Sequence, residues 1–177
     1  GEFAFKGCGA LAGVTIPANV TTIGDSAFQN CEGLESIKIP AGVTSIGGYA
    51  FAFCSSLTGV TIPTAVTIIG ANAFFGCNGL TSVKISSGVT QIGSQAFYDC
   101  SSLASVIIPA SVTSIGDEAF ASCTTLSRVD FLGNAPTLGT DVFSDVATGF
   151  TVNHVKNATG FDSSPWTDFI VGVNNLP

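Results

Sequence analysis

Residues 34–54 read LESIKIPAGVTSIGGYAFAFC, and this stretch decides the fold. Ile37 and Ile39 alternate with Ser36 and Lys38, the period-two pattern of a strand with one buried face. Pro40 has no N–H to give to a ladder, so the strand ends there. Val43 to Ile46 reads as a second short extended segment. Gly47 then turns the chain, at a place where close stacking or a positive φ excludes a side chain. Ala50-Phe51 through Cys54 is expected to form a short helical or 3₁₀ turn that drives the phenylalanine and the thiol inward.

Outward from this stretch the same residue types return at a fixed step. Cys8, Cys31, Cys54, Cys77, Cys100 and Cys123 are each 23 residues apart. Phenylalanine keeps the step from Phe5 to Phe143, leucine from Leu11 to Leu126, and isoleucine followed by glycine from Ile23-Gly24 to Ile115-Gly116. Such a period marks a solenoid, in which each repeat touches only its neighbours. The apolar groups of one repeat do not offset the conformational entropy of ordering it. A single repeat is therefore not expected to fold, and the end repeats should open first.

Hydrophobic residues make up 46% of the 177-residue chain, but they come in short runs. No run approaches the roughly 20 apolar residues needed to cross a bilayer, so no membrane insertion is expected. Gly1 stands in the glycine column, so the chain is expected to enter mid-repeat, with any targeting or anchoring segment outside it. The formal net charge is −7 with five basic residues, which argues against a nucleic-acid partner. The elongated single solenoid is expected to be a monomer.

Six cysteines admit three readings. Stacked positions about 4.8 Å apart bring Cα atoms close enough for disulfides, but their Cβ vectors run parallel, which is poor bridging geometry. Zinc sites pair their ligands at short spacing, and a constant 23-residue step does not. The third reading is a small buried hydrophobe. Val146, in the next cysteine position, favours it because valine keeps volume and apolarity without a thiol.

The pattern decays after Val146. Residues 147–177 carry the only Trp (Trp166) and the only His (His154), with Phe150, Val152, Phe161, Phe169, Ile170 and Val171. An amphipathic tail of this kind would cover the last core layer, as terminal caps do. The expected division is a solenoid over 1–146 and a capping element over 147–177.

The unit Leu-x-x-Val-x-Ile-Pro-x-x-Val-Thr-x-Ile-Gly-x-x-Ala-Phe-x-x-Cys, as in Leu103 to Cys123, resembles the BspA-type leucine-rich repeat. The resemblance covers residues 1 to about 146, with Ser86 and Leu132 in place of the proline. Ser164-Pro165-Trp166 and its surroundings are similar to the element that often closes such arrays. The resemblance implies a β-rich α/β solenoid: a right-handed superhelix with a parallel sheet on its concave face and a C-terminal cap. It also implies a cell-surface or secreted, non-enzymatic module that adheres to host or extracellular-matrix proteins, with glycans as another class of ligand. The family has no catalytic motif and no cofactor to carry over. The sequons Asn19-Val-Thr21 and Asn157-Ala-Thr159 would matter only in a eukaryotic secretory source.

Strand alternation turns two columns away from the core. One reads Gly13, Ser36, Gly59, Ser82, Ser105, Arg128, and the other Thr15, Lys38, Thr61, Lys84, Ile107, Asp130. Three of the five basic residues stand here, while several carboxylates fall in the turns. Lys38, Thr61, Lys84, Ile107, Arg128 and Asp130 therefore form a candidate ligand-binding strip for an acidic or extended partner. The alternative is that these charges only keep an exposed sheet soluble and block edge pairing. No catalytic group is expected: His154 has no Ser or Cys nucleophile beside it in sequence, and the glycines belong to the repeat. A protein-binding module and a passive stalk that extends a distal domain both remain open.

Overall fold

A computed structural model describes residues 1–173. Residues 174–177 of the expected cap, and the side chains of Ile170 and Val171, lie outside what is described.

The chain winds as a parallel β-solenoid whose coils share three walls. The first is a ladder of two-residue strands: Thr22–Ile23, Ser45–Ile46, Ile68–Ile69, Gln91–Ile92, Ser114–Ile115 and Thr137–Leu138, paired in that order. Thr22 faces Ser45 and Ile23 faces Ile46, so the register equals the sequence period. Thr44, Thr90 and Thr113, each just before one of these strands, donate their hydroxyls to the threonine carbonyl one coil earlier, Thr44 Oγ1 to Thr21 O at 3.1 Å.

The second wall carries the longer strands. Gly59–Ile62 pairs with Ser82–Ile85, and Ser105–Ile108 with Arg128–Phe131. In the first coils this wall is reduced to a bridge between Thr15 and Lys38. The prolines behave as expected, since Pro63 and Pro109 immediately follow Ile62 and Ile108, where the strands stop. One feature was not expected from the sequence. Thr151–His154 pairs with Arg128–Phe131, Thr151 opposite Arg128, so the strand row keeps its 23-residue register past Val146. Ile170–Val173 then adds a further parallel strand, with Thr151 opposite Ile170.

The third wall corrects the expected α/β character. Where a short helical or 3₁₀ turn was expected at Ala50 to Cys54, the chain makes tight turns, and the described residues hold no helix but the 3₁₀ turn Trp166–Asp168. Ala27 N donates to Gly24 O, three residues back, whereas Ser26 N, Phe28 N and Asn30 N donate to Gly48 O, Ala50 O and Ala52 O of the next coil. Tyr49 and Phe53, like Ser26 and Asn30, hold φ between 53° and 61°. A left-handed residue breaks the α-helix and swings alternate peptide groups along the solenoid axis. Their N–H groups therefore bond between coils instead of four residues back.

Glycine at the corner answers crowding, not φ. A Cβ on Gly70 would sit 2.6 Å from the carbonyl carbon of Gly47, because the coils touch there backbone to backbone. Of the two reasons foreseen for Gly47 and its equivalents, close stacking is the one that operates.

Inside the walls run columns of identical side chains. Phe28, Phe51, Phe74 and Phe97 stack with ring centroids 5.2 Å apart and planes within 7°. That spacing is near the roughly 4.8 Å rise of neighbouring strands, so the coil repeat sets the ring stacking. At the C-terminal end, Phe161 and Trp166 pack on Phe131, and Phe150 and Phe169 pack on Phe143. Trp166 and Phe161 are buried by these contacts.

Cys31, Cys54, Cys77, Cys100 and Cys123 are buried free thiols, as the hydrophobe reading expected, whereas Cys8 in the first coil is exposed. They also do something that reading did not foresee. Cys54 Sγ donates to Phe28 O at 3.2 Å, and Cys77 Sγ to Phe51 O at 3.1 Å. Phe28 O already accepts the N–H of Cys31, so the next coil's thiol supplies a second donor to a carbonyl inside the turn. With a thiol reagent such as DTNB, the native protein should show one fast-reacting thiol, Cys8, and six after denaturation. Two or more fast thiols in the native state would contradict the buried column.

Candidate functional site

The strand wall brings the sequence-predicted strip together. Thr61 lies opposite Lys84, and Ile107 opposite Asp130, on neighbouring strands. Lys38 is joined through its bridge to Thr15. Lys38, Thr61, Lys84 and Ile107 are exposed, and Ile107 and Leu132 rank among the exposed large apolar side chains. Their outward aim follows from strand alternation, because the residues between them (Ile37, Ile39, Val60, Ile62 and their equivalents) fill the core.

A groove of about 600 Å³ lies between Lys38 and Lys84, floored by Gly59, Val60, Thr61, Ser82 and Val83. Gly59 and Ser82 leave room there because neither carries a long side chain. A second groove, about 460 Å³, shares Ser82, Val83 and Lys84 with the first and continues to Ile107 and Leu132. One end of this furrow is therefore polar and cationic, and the other apolar.

The basic end of the strip differs from the expectation at Arg128. Arg128 Nε donates to Asp130 Oδ1 at 2.7 Å, and Asn153 Nδ2 donates to the same oxygen at 3.1 Å. That hydrogen bond, and behind it the charge of Asp130, pushes the Arg128 pKa up further. Asp130 is 6% exposed, so the pair neutralises a carboxylate held against the last strands. Sequence spacing could not find this, because it takes Asn153, one coil further on, to complete the site. Among the described residues no ion pair involves Lys38 or Lys84. These two lysines, and not three cations, set the charge of the strip.

His154 belongs to the packing at the C-terminal end. Its ring stacks on Phe161 at 4.4 Å with planes 7° apart, and Nδ1 lies 3.0 Å from Val155 O. Among the described residues, no group of three or more His, Cys, Asp or Glu side chains could hold a metal ion. Among the described residues no helix is long and apolar enough to cross a membrane.

With this geometry in hand, comparison with known proteins places the chain. Residues 1–126 and 44–164 match the family described as the BspA type leucine rich repeat region. The chain belongs to the BspA-type leucine-rich repeat family. The Treponema pallidum leucine-rich repeat protein is 38% identical, with a TM-score of 0.72, over 78% of this chain and 64% of that one. PcpA, a pneumococcal vaccine antigen, is 27% identical with a TM-score of 0.59, over 68% of this chain and 30% of that one. A leucine-rich repeat protein of Bacteroides ovatus, 24% identical with a TM-score of 0.67, shares the fold over 98% of this chain and 57% of its own. The BspA-type chain thus spans less than two thirds of each of these proteins. No curated protein matches it.

Proposed function

We propose that this chain is a protein-binding module of a bacterial surface or secreted protein, and that it engages a host or extracellular-matrix partner without catalysis. The observation that carries the reading is the furrow on the strand wall, with the uncompensated Lys38 and Lys84 on either side of Thr61 and the apolar Ile107 and Leu132 beyond. Taken as the concave face of the superhelix, this wall would offer a partner both charge and apolar contact. Two ammonium groups two coils apart, roughly 10 Å at the rise of a parallel sheet, suit an extended acidic segment lying across the strands. The surface location is supported by membership of the BspA-type family and by the likeness to a pneumococcal vaccine antigen.

A second reading, a stalk without its own ligand, is favoured by the small outward column Ser36, Gly59, Ser82 and Ser105. A solid-phase panel of fibronectin, fibrinogen, collagen, laminin and glycans at low and high salt separates the two. Saturable, salt-sensitive capture is expected, and Lys38→Glu with Lys84→Glu should weaken it roughly tenfold or more, since like charges then face an acidic partner. Arg128 is left intact in this test, because reversing it would strand the buried Asp130 carboxylate and mix stability with binding. Capture unaffected by the double reversal would remove the strip from the function, and no capture at all would favour the stalk.

A further inference from the structure

The turn wall carries a feature that the strand-wall reading does not use. Tyr49 and Phe53 are 44% and 42% exposed, although both stand in the interior coils of the solenoid. Phe53 meets Phe75 edge-on at 5.3 Å, and Phe75 stacks on Tyr98 at 4.9 Å with planes 7° apart. A Cβ on Gly76 would lie 2.8 Å from the Phe53 ring, so the glycine leaves the place that ring occupies. Beside the rings, Asn72 donates to Gln95 at 2.8 Å and Gln95 to Glu118 at 2.6 Å, so Tyr49 stands one rung beyond a row of bonded side chains.

The charge of this wall is one-sided. Eight of the twelve acidic residues fall in the turns between the glycine and leucine columns, against a single lysine, Lys6. That lysine shows what a cation does here: Lys6 Nζ lies 5.2 Å from the centroid of the Phe3 ring. Tyr49 occupies the position of Phe3 two coils on, but Ala52 occupies that of Lys6 and cannot reach over a ring. Meanwhile Gly48 N holds Asp25 Oδ1 at 2.8 Å, which places a carboxylate one residue from Tyr49.

We infer that the turn wall over Tyr49, Phe53 and Tyr98 is a second docking surface, and that it takes a Lys- or Arg-rich extended segment of a partner. A cation of that segment sits over the Tyr49 ring as Lys6 sits over Phe3, and Asp25 on one side and Asp99 and Glu118 on the other hold its neighbours. The rings supply the apolar contact and the cation–π attraction, and the carboxylates supply the long-range pull. This surface is independent of Lys38 and Lys84, which stand on another wall.

The test is fluorescence anisotropy with labelled hexaarginine, with hexaglutamate and a neutral oligosaccharide as comparison probes. Hexaarginine should bind saturably and in preference to both. Tyr49→Ser with Phe53→Ser should weaken it roughly tenfold at an unchanged thermal midpoint, since the cation–π contact at Tyr49 and the apolar contact at Phe53 are both lost. If that variant melts early, Tyr49→Lys serves instead, because it keeps a long stem at an exposed position and repels the probe. Lys38→Glu with Lys84→Glu should not weaken hexaarginine binding. Failure to bind hexaarginine would overturn the inference. So would equal binding by the aromatic variants, which would mean charge alone, or tighter binding of the oligosaccharide.

Discussion

Raising the pH from 8 to 10 should remove about 5 kcal/mol of folding free energy, through the four thiols Cys54, Cys77, Cys100 and Cys123 alone. Burial, the largest effect, pushes Cys54 and Cys123 up to about 12, and it raises Cys77 and Cys100 well above their ordinary value too. In the unfolded chain these thiols ionise near their ordinary value of 9.0. Above that pH the unfolded state sheds protons that the folded state keeps, so it is the unfolded state that gains. The thiol contribution to stability is thus complete below about pH 9 and is lost as the pH rises towards the folded values, at about 1.4 kcal/mol per thiol per pH unit. Four such thiols make a loss comparable with the whole stability of many domains. Denaturant titrations at pH 8 and pH 10 under reducing conditions would measure it. The triple variant Cys54→Val, Cys77→Val, Cys100→Val should lose less than half as much, because only Cys31 and Cys123 of the buried thiols still titrate. Val146 shows that valine fits this column at its last position. Tyrosine and lysine titrations are common to both proteins and cancel. Equal losses in the two would contradict the assignment.

Phe74→Ala should cost about 3–5 kcal/mol, measured as a shift of the urea midpoint at constant slope. Phe74 is fully buried and is stacked on Phe51 below and Phe97 above. Truncation therefore leaves a void that both neighbouring rings line, while the inter-coil hydrogen bonds of the turn wall hold the backbone open around it. The same change at Phe5 should cost less than half as much, because Phe5 is 37% exposed and has a ring partner, Phe28, on one side. Near-equal losses at the two positions would mean that the stack is not what stabilises the middle coils.

Much of the fold was legible in one 21-residue stretch, because a solenoid repeats its core once per coil. The alternation seen at Ile37 and Ile39 marked the strands of the later coils, Pro63 and Pro109 the ends of two of them, and the constant step the register that the paired strands keep, although at Lys38 itself the strand is reduced to a bridge. The cysteine column read correctly as buried, since position within the period carries burial with it. The outward columns were legible for the same reason, which is why Lys38, Thr61, Lys84 and Ile107 emerge together on one wall.

Properties that arise between coils were not legible. The turn wall was expected to be helical, and residues such as Tyr49, Phe53, Gln95 and Glu118 do not by type announce the left-handed conformation they adopt. At these positions the conformation goes with hydrogen bonds to the next coil, while Asn30, Asn72, Asp99 and Gly76 at equivalent positions are the local signal that was passed over. Arg128 read as a third cation, yet its charge is spent on Asp130, and only Asn153 from the following coil shows why. The exposed aromatic cluster was also missed, since Tyr49, Phe53, Phe75 and Tyr98 keep no single column and meet only when the coils stack. The sequence by itself determined the period, the core columns and the outward face, because each depends on residues within one coil. The tertiary structure alone decided the backbone of the turns, the pairing of the charges and the aromatic surface, because each depends on atoms about 23 residues apart being brought within a few ångströms.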